Sequence, residues 1–211
     1  MSDHDSDFDF EPQPGLPKPL PPGEDLLWQG SPDPAALARE AFKANWVLGY
    51  LLILAVWRAS MAFLEVGFGQ SVAVFLPYLV LALAAYGLVR LLARTSARAA
   101  IYSITTDRVI LRIGAALQVT WTIPFSKVAA ASLSVKPTGT GTIALELVEG
   151  QHISYLALWP HLRPGFARKV QPAFRCIPDA ARVARILSDA AQTRVNEPVV
   201  TFTAPAAVAA E

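Results

Sequence analysis

"ALAAYGLVRLLARTSARAAIYSITTDRVIL", residues 82–111, passes from an uncharged apolar run, through arginines at 90, 94 and 98, into alternating strand-like sequence. Arg90, Arg94 and Arg98 are four residues apart, so they share one face of a helix that continues beyond its apolar part. After Arg98 the period changes to two: "AIYSI" and "RVILRI" flank the short polar turn "TTD", which reads as a β-hairpin. The stretch therefore joins a membrane helix to a β-rich domain, with the arginines at the boundary.

Upstream, Ala44–Leu64 is broken by one charge, Arg58, and Ser71–Val89 by none, with only Glu65–Gln70 between them. Two apolar segments of spanning length joined this tightly predict an antiparallel transmembrane hairpin, about 44–64 and 71–89. Pro77 is expected to kink or loosen the second helix. The composition agrees, with 53% hydrophobic and 17% charged residues in 211. Arg39 and Lys43 precede the first helix and the three arginines follow the second, whereas the connecting loop carries only Glu65. The positive-inside rule then places both termini in the cytoplasm. Arg58 is expected to snorkel to the outer interface, or to contact a partner subunit or Glu65, seven residues on along the same face.

The first 22 residues, acidic and then proline-rich ("PQPGLPKPLPPG"), read as a disordered arm. Residues 23–43 form a juxtamembrane element in which Asp33 caps a short helix starting at Pro34. Its apolar residues Leu37, Ala41 and Phe42 suit the membrane surface. Trp28 and Trp46, near the entry to the first span, join Arg58, Glu65, Arg90, Arg94 and Arg98 as candidate membrane or partner contacts.

In residues 99–191, "LQVTWTI" puts Leu117, Val119, Trp121 and Ile123 on one face. "KPTGTGT" is a loop between strands, and because a strand follows it, it is not a phosphate cradle. "IALELV" and "HISYLAL" read as further strands. Val183, Ile186, Leu187 and Ala190 recur at helical spacing, giving a closing helix that plugs a small barrel. Residues 192–211 read as a disordered tail.

Function classes narrow by chemistry. A net charge of +1 gives no basis for nucleic-acid binding, and the lone Cys176 forms neither an intramolecular disulfide nor a thiolate cluster. His152 and His161 read as structural or exposed, and no catalytic or metal-binding spacing is present. Neither apolar segment contains histidine, so any metal-centred group there would be held by water, a backbone carbonyl, Asn45 or Gln70, or a partner.

The strand order with its closing helix is similar to the pleckstrin-homology (PH) architecture, and "YSITTDRVILRIGAALQVTWTIPFSKV" resembles bacterial PH-like domains. "GEDLLWQGSPD" resembles the element that often precedes membrane helices in such proteins. With the late "LWPHLRP…RCIPDAARVARIL", the chain resembles the PuhB family of photosynthetic-complex assembly proteins of purple bacteria. The resemblance implies an α+β membrane protein, with a cytoplasmic antiparallel β-barrel or sandwich closed by a C-terminal helix. It implies a non-enzymatic assembly factor in the cytoplasmic membrane and its invaginations, acting on reaction-centre and core-antenna subunits without a resident cofactor, any bacteriochlorophyll contact being transient. Anionic lipid headgroups are expected as further contacts, and a homo-oligomer is compatible with the sequence. The alternatives are a generic membrane-anchored lipid- or protein-binding module and a small membrane enzyme.

Overall fold

The computed structural model describes residues 15–16, 19–114, 117–148, 153–165 and 170–196. Its elements run β1 (Leu26–Gly30), α1 (Pro34–Glu40), α2 (Ala44–Val66), α3 (Phe68–Ala99), β2 (Ile101–Thr105), β3 (Arg108–Ile113), β4 (Val119–Pro124), β5 (Val128–Val135), β6 (Thr140–Leu147), α4 (Tyr155–Leu158), β7 (Ala173–Pro178) and α5 (Ala180–Asn196). A single turn of 3₁₀ helix, Phe125–Lys127, links β4 to β5.

The helical hairpin turns at one residue. Gly67 has φ of 84°, a left-handed value that a side chain would strain, so the expected loop at 65–70 contracts to this glycine. Pro77 lies inside a continuous α3. Both helices are long and apolar enough to cross a membrane, and only 11% and 6% of their apolar windows are buried. That exposure separates them from the core helices of a soluble fold.

Among the described residues the strands make two antiparallel sheets, β1-β2-β3-β4 and β5-β6-β7, rather than a closed barrel. The β2–β3 hairpin forms with the expected turn, pairing Ser103 with Ile110 and Ile104 with Val109. Between the sheets lies a core of Tyr102, Ile104, Leu111, Ile123, Ile143, Leu145, Phe174 and Ile177. The closing helix α5 covers it with Val183, Leu187 and Ala190, while Ile186 is only partly buried and Trp121 packs at the margin. Leu187→Ala should therefore destabilise the domain by about 2–5 kcal/mol and Ile186→Ala by distinctly less. Urea unfolding of the full chain in detergent checks the ranking, and equal costs would contradict it.

Several expectations are corrected. "LLWQG", assigned to a juxtamembrane element within 23–43, is strand β1, pairing Trp28 with Ile104 and Gln29 with Ser103. The first sheet strand thus precedes the helical hairpin, which is inserted between β1 and β2. "HISYLAL" is not a strand: residues 149–152, with His152, lie outside the described residues, and Tyr155–Leu158 is a helical turn. Pro160 cannot donate to a ladder. The place beside β6 goes instead to "AFRCIP", the missed strand β7, which pairs Ile143 with Phe174. Within the arm assigned to 1–22, Leu16 is 1% exposed, since a leucine that finds apolar surface leaves water despite its proline neighbours. Residues 1–14, and the tail beyond Asn196, lie outside the described residues, but α5 extends into the 192–211 region assigned to disorder.

Candidate membrane and partner surface

Asp33 caps α1 as expected, its Oδ1 accepting from the Ala36 N–H at 2.6 Å. The helix does not rest its apolar side on a membrane surface. Ala36 and Leu37 are fully buried against Ala97 of α3 and Cys176 of β7, and the Asp33 N–H donates to the Cys176 carbonyl at 2.8 Å. Small alanines on α3 let α1 approach closely, which makes α1 the strut between hairpin and sheet.

That packing turns the arginines outward. Arg90, Arg94 and Arg98 are all exposed and line one cavity of about 510 Å³ with Asp33, Pro34, Ala35, Gly87 and Leu91. Arg90 is held in place by Tyr86, its Nη1 donating to the hydroxyl at 3.0 Å while the guanidinium lies 5.6 Å from the ring centroid. Three cations at successive turns beside an apolar run suit phosphate groups at a membrane interface. The other candidates separate from this group. Trp46 is 78% exposed near the start of α2, and Arg58 and Glu65 are exposed near its far end with no ion pair joining them. Trp28 is not a free contact: it packs on the domain core, its ring centroid 5.9 Å from that of Phe174. A tryptophan on an alternating strand faces inward or outward by register alone, which the five residues of β1 do not reveal.

A second feature escaped the sequence reading. β5 is an edge strand without charges, and between it and α5 runs a groove of about 450 Å³ lined by Phe125, Ala129, Leu133, Ile143, Leu187 and Ala191. An unpaired edge beside an apolar groove can accept an extended segment. The poor alternation of "VAAASLSV" hid it.

Glu24 and His161 each anchor a polar cluster withdrawn from water. Glu24, whose side chain is 2% exposed, takes a two-pronged ion pair from Arg108, with Nε to Oε1 at 2.8 Å. Burial alone would raise the Glu24 pKa, but hydrogen bonds from Arg108 and Thr105 and the Arg108 charge outweigh it and hold it below 4.5. The second group is Tyr102, His161 and Arg175. His161 is 1% exposed, and burial, reinforced by the Arg175 charge, pushes its pKa down to about 4. The neutral imidazole shares a hydrogen bond between Nδ1 and the Tyr102 hydroxyl, 2.5 Å away, and that hydroxyl accepts from the Arg175 N–H at 3.4 Å. Arg175 Nε finds no partner among the described residues. The group ties β2 to the loop before β7 and is closed to substrates. Cys176 is equally inert, since burial raises its thiol pKa to about 12.

These shifts fix an acid response. The unfolded chain protonates His161 near 6.5 while the folded chain resists until about 4, so the unfolded state binds more protons in that window. Stability should fall as pH drops from 6.5 towards 4, by up to about 3 kcal/mol, and further below pH 4.5 as Glu24 loses its charge. Urea midpoints of the full chain across pH 4–7 measure this. His161→Gln should flatten the upper part of the profile, and an unchanged slope would show that another group carries it.

Comparison with known proteins follows the same outline. The family model described as "Bacterial PH domain" matches residues 62–191, which include the end of α2 but not β1. The chain is 55% identical over 216 residues to an uncharacterized 23.7 kDa protein in the puhA 5' region of Rhodobacter capsulatus, covering 100% of this chain and 98% of that protein. A crystal structure of a DUF1696 family protein with a pleckstrin-homology domain, from Shewanella loihica PV-4, is similar at 10% identity over 44% of this chain and 71% of that one. At a TM-score of 0.30 that likeness carries no argument.

Proposed function

The chain belongs to the bacterial PH domain family, and from that premise we propose that it is a membrane-bound, non-enzymatic assembly factor for the photosynthetic reaction centre and its core antenna. One observation carries the reading. A relative 55% identical over essentially its whole length is named for its place in the 5' region of puhA, and we read that neighbourhood as a link to the reaction centre. In this reading α2 and α3 cross the cytoplasmic membrane with both chain ends in the cytoplasm, and their exposed apolar faces hold membrane subunits. The PH-like domain engages a cytoplasmic surface, for which the β5–α5 groove has the right chemistry. In this reading the arginine-lined cavity takes anionic headgroups, and its three exposed cations are the observation that favours the second reading, a generic membrane-anchored lipid- or protein-binding module.

Affinity purification of the full chain from a phototrophic host in mild detergent tests the proposal. Reaction-centre or antenna subunits should co-purify, enriched over abundant membrane proteins of similar size. An eluate holding lipid but none of these subunits would move the conclusion to the lipid-binding module.

A further inference from the structure

The helical turn that replaces an expected strand carries an apolar patch: Tyr155 is 41% exposed, Leu156 84% and Trp159 44%. Its place relative to the hairpin is fixed by one contact. The Trp159 ring meets Phe42 edge-on, with centroids 4.9 Å apart. Phe42 lies two residues before α2 begins, and together with Tyr86 and Val89 of α3 it packs against the buried alanines 38, 44 and 93. The patch is therefore level with the first residues of α2 and with the turn of α3 where the uncharged run stops at Val89 and Arg90 begins. The exposed Trp46 lies on that same first turn of α2.

We propose that Tyr155, Leu156 and Trp159 form a third membrane contact, entering the headgroup and upper acyl region of the bilayer that α2 and α3 cross. The inference rests on the membrane-bound reading and deepens it by giving the PH-like domain a fixed orientation against the lipid. The occupant is lipid because Trp159 borders the hairpin at Phe42, at the depth where amphipathic rings are favoured, and Tyr155 and Leu156 lie one helical turn from it. Arg90, exposed at that same level, and Arg94 and Arg98 at the next two turns supply cations for the adjoining phosphates. An isolated leucine as exposed as Leu156 gains nothing in water, whereas its burial at the interface adds apolar area to the binding. With α1 already strutting the sheet against α3, this contact restrains the domain from swinging away from the membrane.

The test uses the full chain in vesicles of phosphatidylcholine and phosphatidylglycerol, labelled with an environment-sensitive fluorophore at one introduced cysteine: L156C, V80C in α3, or T138C. Cys176 is 1% exposed and stays unlabelled. Thr138 precedes β6, whose Thr140 pairs with Pro178, at the end of β7 away from His161, so it serves as the cytoplasmic control. The label at 156 should be quenched several-fold more than that at 138 by a lipid-borne quencher near the headgroups, and should resist aqueous iodide. Iodide access at 156 equal to that at 138 overturns the inference, because the patch then faces water. Shielding at 156 from both quenchers also overturns it, because a protein then covers the patch. Escape of the label at 80 from a deep lipid quencher would instead bring down the membrane-bound reading, and this inference with it.

Discussion

Residues 99–211 expressed alone should fail to accumulate as a folded domain, although they contain six of the seven described strands and the closing helix. What they lack is β1 and α1. Without β1, the β2 edge is left unpaired beside Tyr102 and Ile104, an invitation to aggregation. Trp28 no longer covers Phe174, and Leu37 no longer fills the space beside Cys176. Each of these side chains contributes about 1.5–3 kcal/mol by burial, and each ladder hydrogen bond about 0.5–1.5 kcal/mol net. Together the losses approach the 5–15 kcal/mol that is typically a domain's whole stability, on an order-of-magnitude count. The packing of Phe42 against Ala93 indicates the remedy. A chain in which residues 43–92 are replaced by a short glycine-serine linker keeps both elements and should be soluble and cooperatively folded. Soluble yield and the urea transition of the two proteins decide the matter; a stable 99–211 fragment would mean that β1 is an accessory strand.

This interruption also explains what the sequence could and could not reveal. The hairpin, the Asp33 cap, the β2–β3 turn and the α5 face are local patterns, and each is legible because its cause lies within a few residues of its effect. β1 and β7 are not local in that sense. β1 is five residues of Leu-Leu-Trp-Gln-Gly with no alternation of chemistry, and its partner β2 is about 75 residues away beyond both apolar helices. β7 pairs with β6 across a connection that includes α4, and nothing in "AFRCIP" outweighed the cleaner alternation of "HISYLAL". The candidate surface divides along the same line. Arg90, Arg94 and Arg98 were readable because helical spacing alone puts them on one face, whereas their shared cavity depends on α1 packing against α3. The inward turn of Trp28, the groove beside β5 and the patch on α4 arise from tertiary register, so no short stretch of sequence contains them.

Loss of the gene in a phototrophic host should lower reaction-centre content several-fold while leaving the absorption spectrum of the remaining centres unchanged. An assembly factor acts before the finished complex exists, so its absence changes how many centres form and not the chemistry of those that do. An enzyme of pigment synthesis would instead leave a chemically altered precursor in the extract. The folded but hairpin-less protein described above makes the experiment sharper than any fragment missing β1, because its failure to rescue could not be blamed on misfolding. Tethering can raise effective affinity by about 10²–10⁴ without a new contact, and the hairpin-less protein loses that gain along with every intramembrane contact. It should therefore restore little of the reaction-centre content that the full chain restores at equal abundance. Unchanged reaction-centre content in the deletion strain would sink the assembly reading, and an accumulating pigment precursor would replace it with an enzyme. Complete rescue by the hairpin-less protein would keep the assembly role but confine it to the PH-like domain, where the β5–α5 groove would be the next surface to mutate.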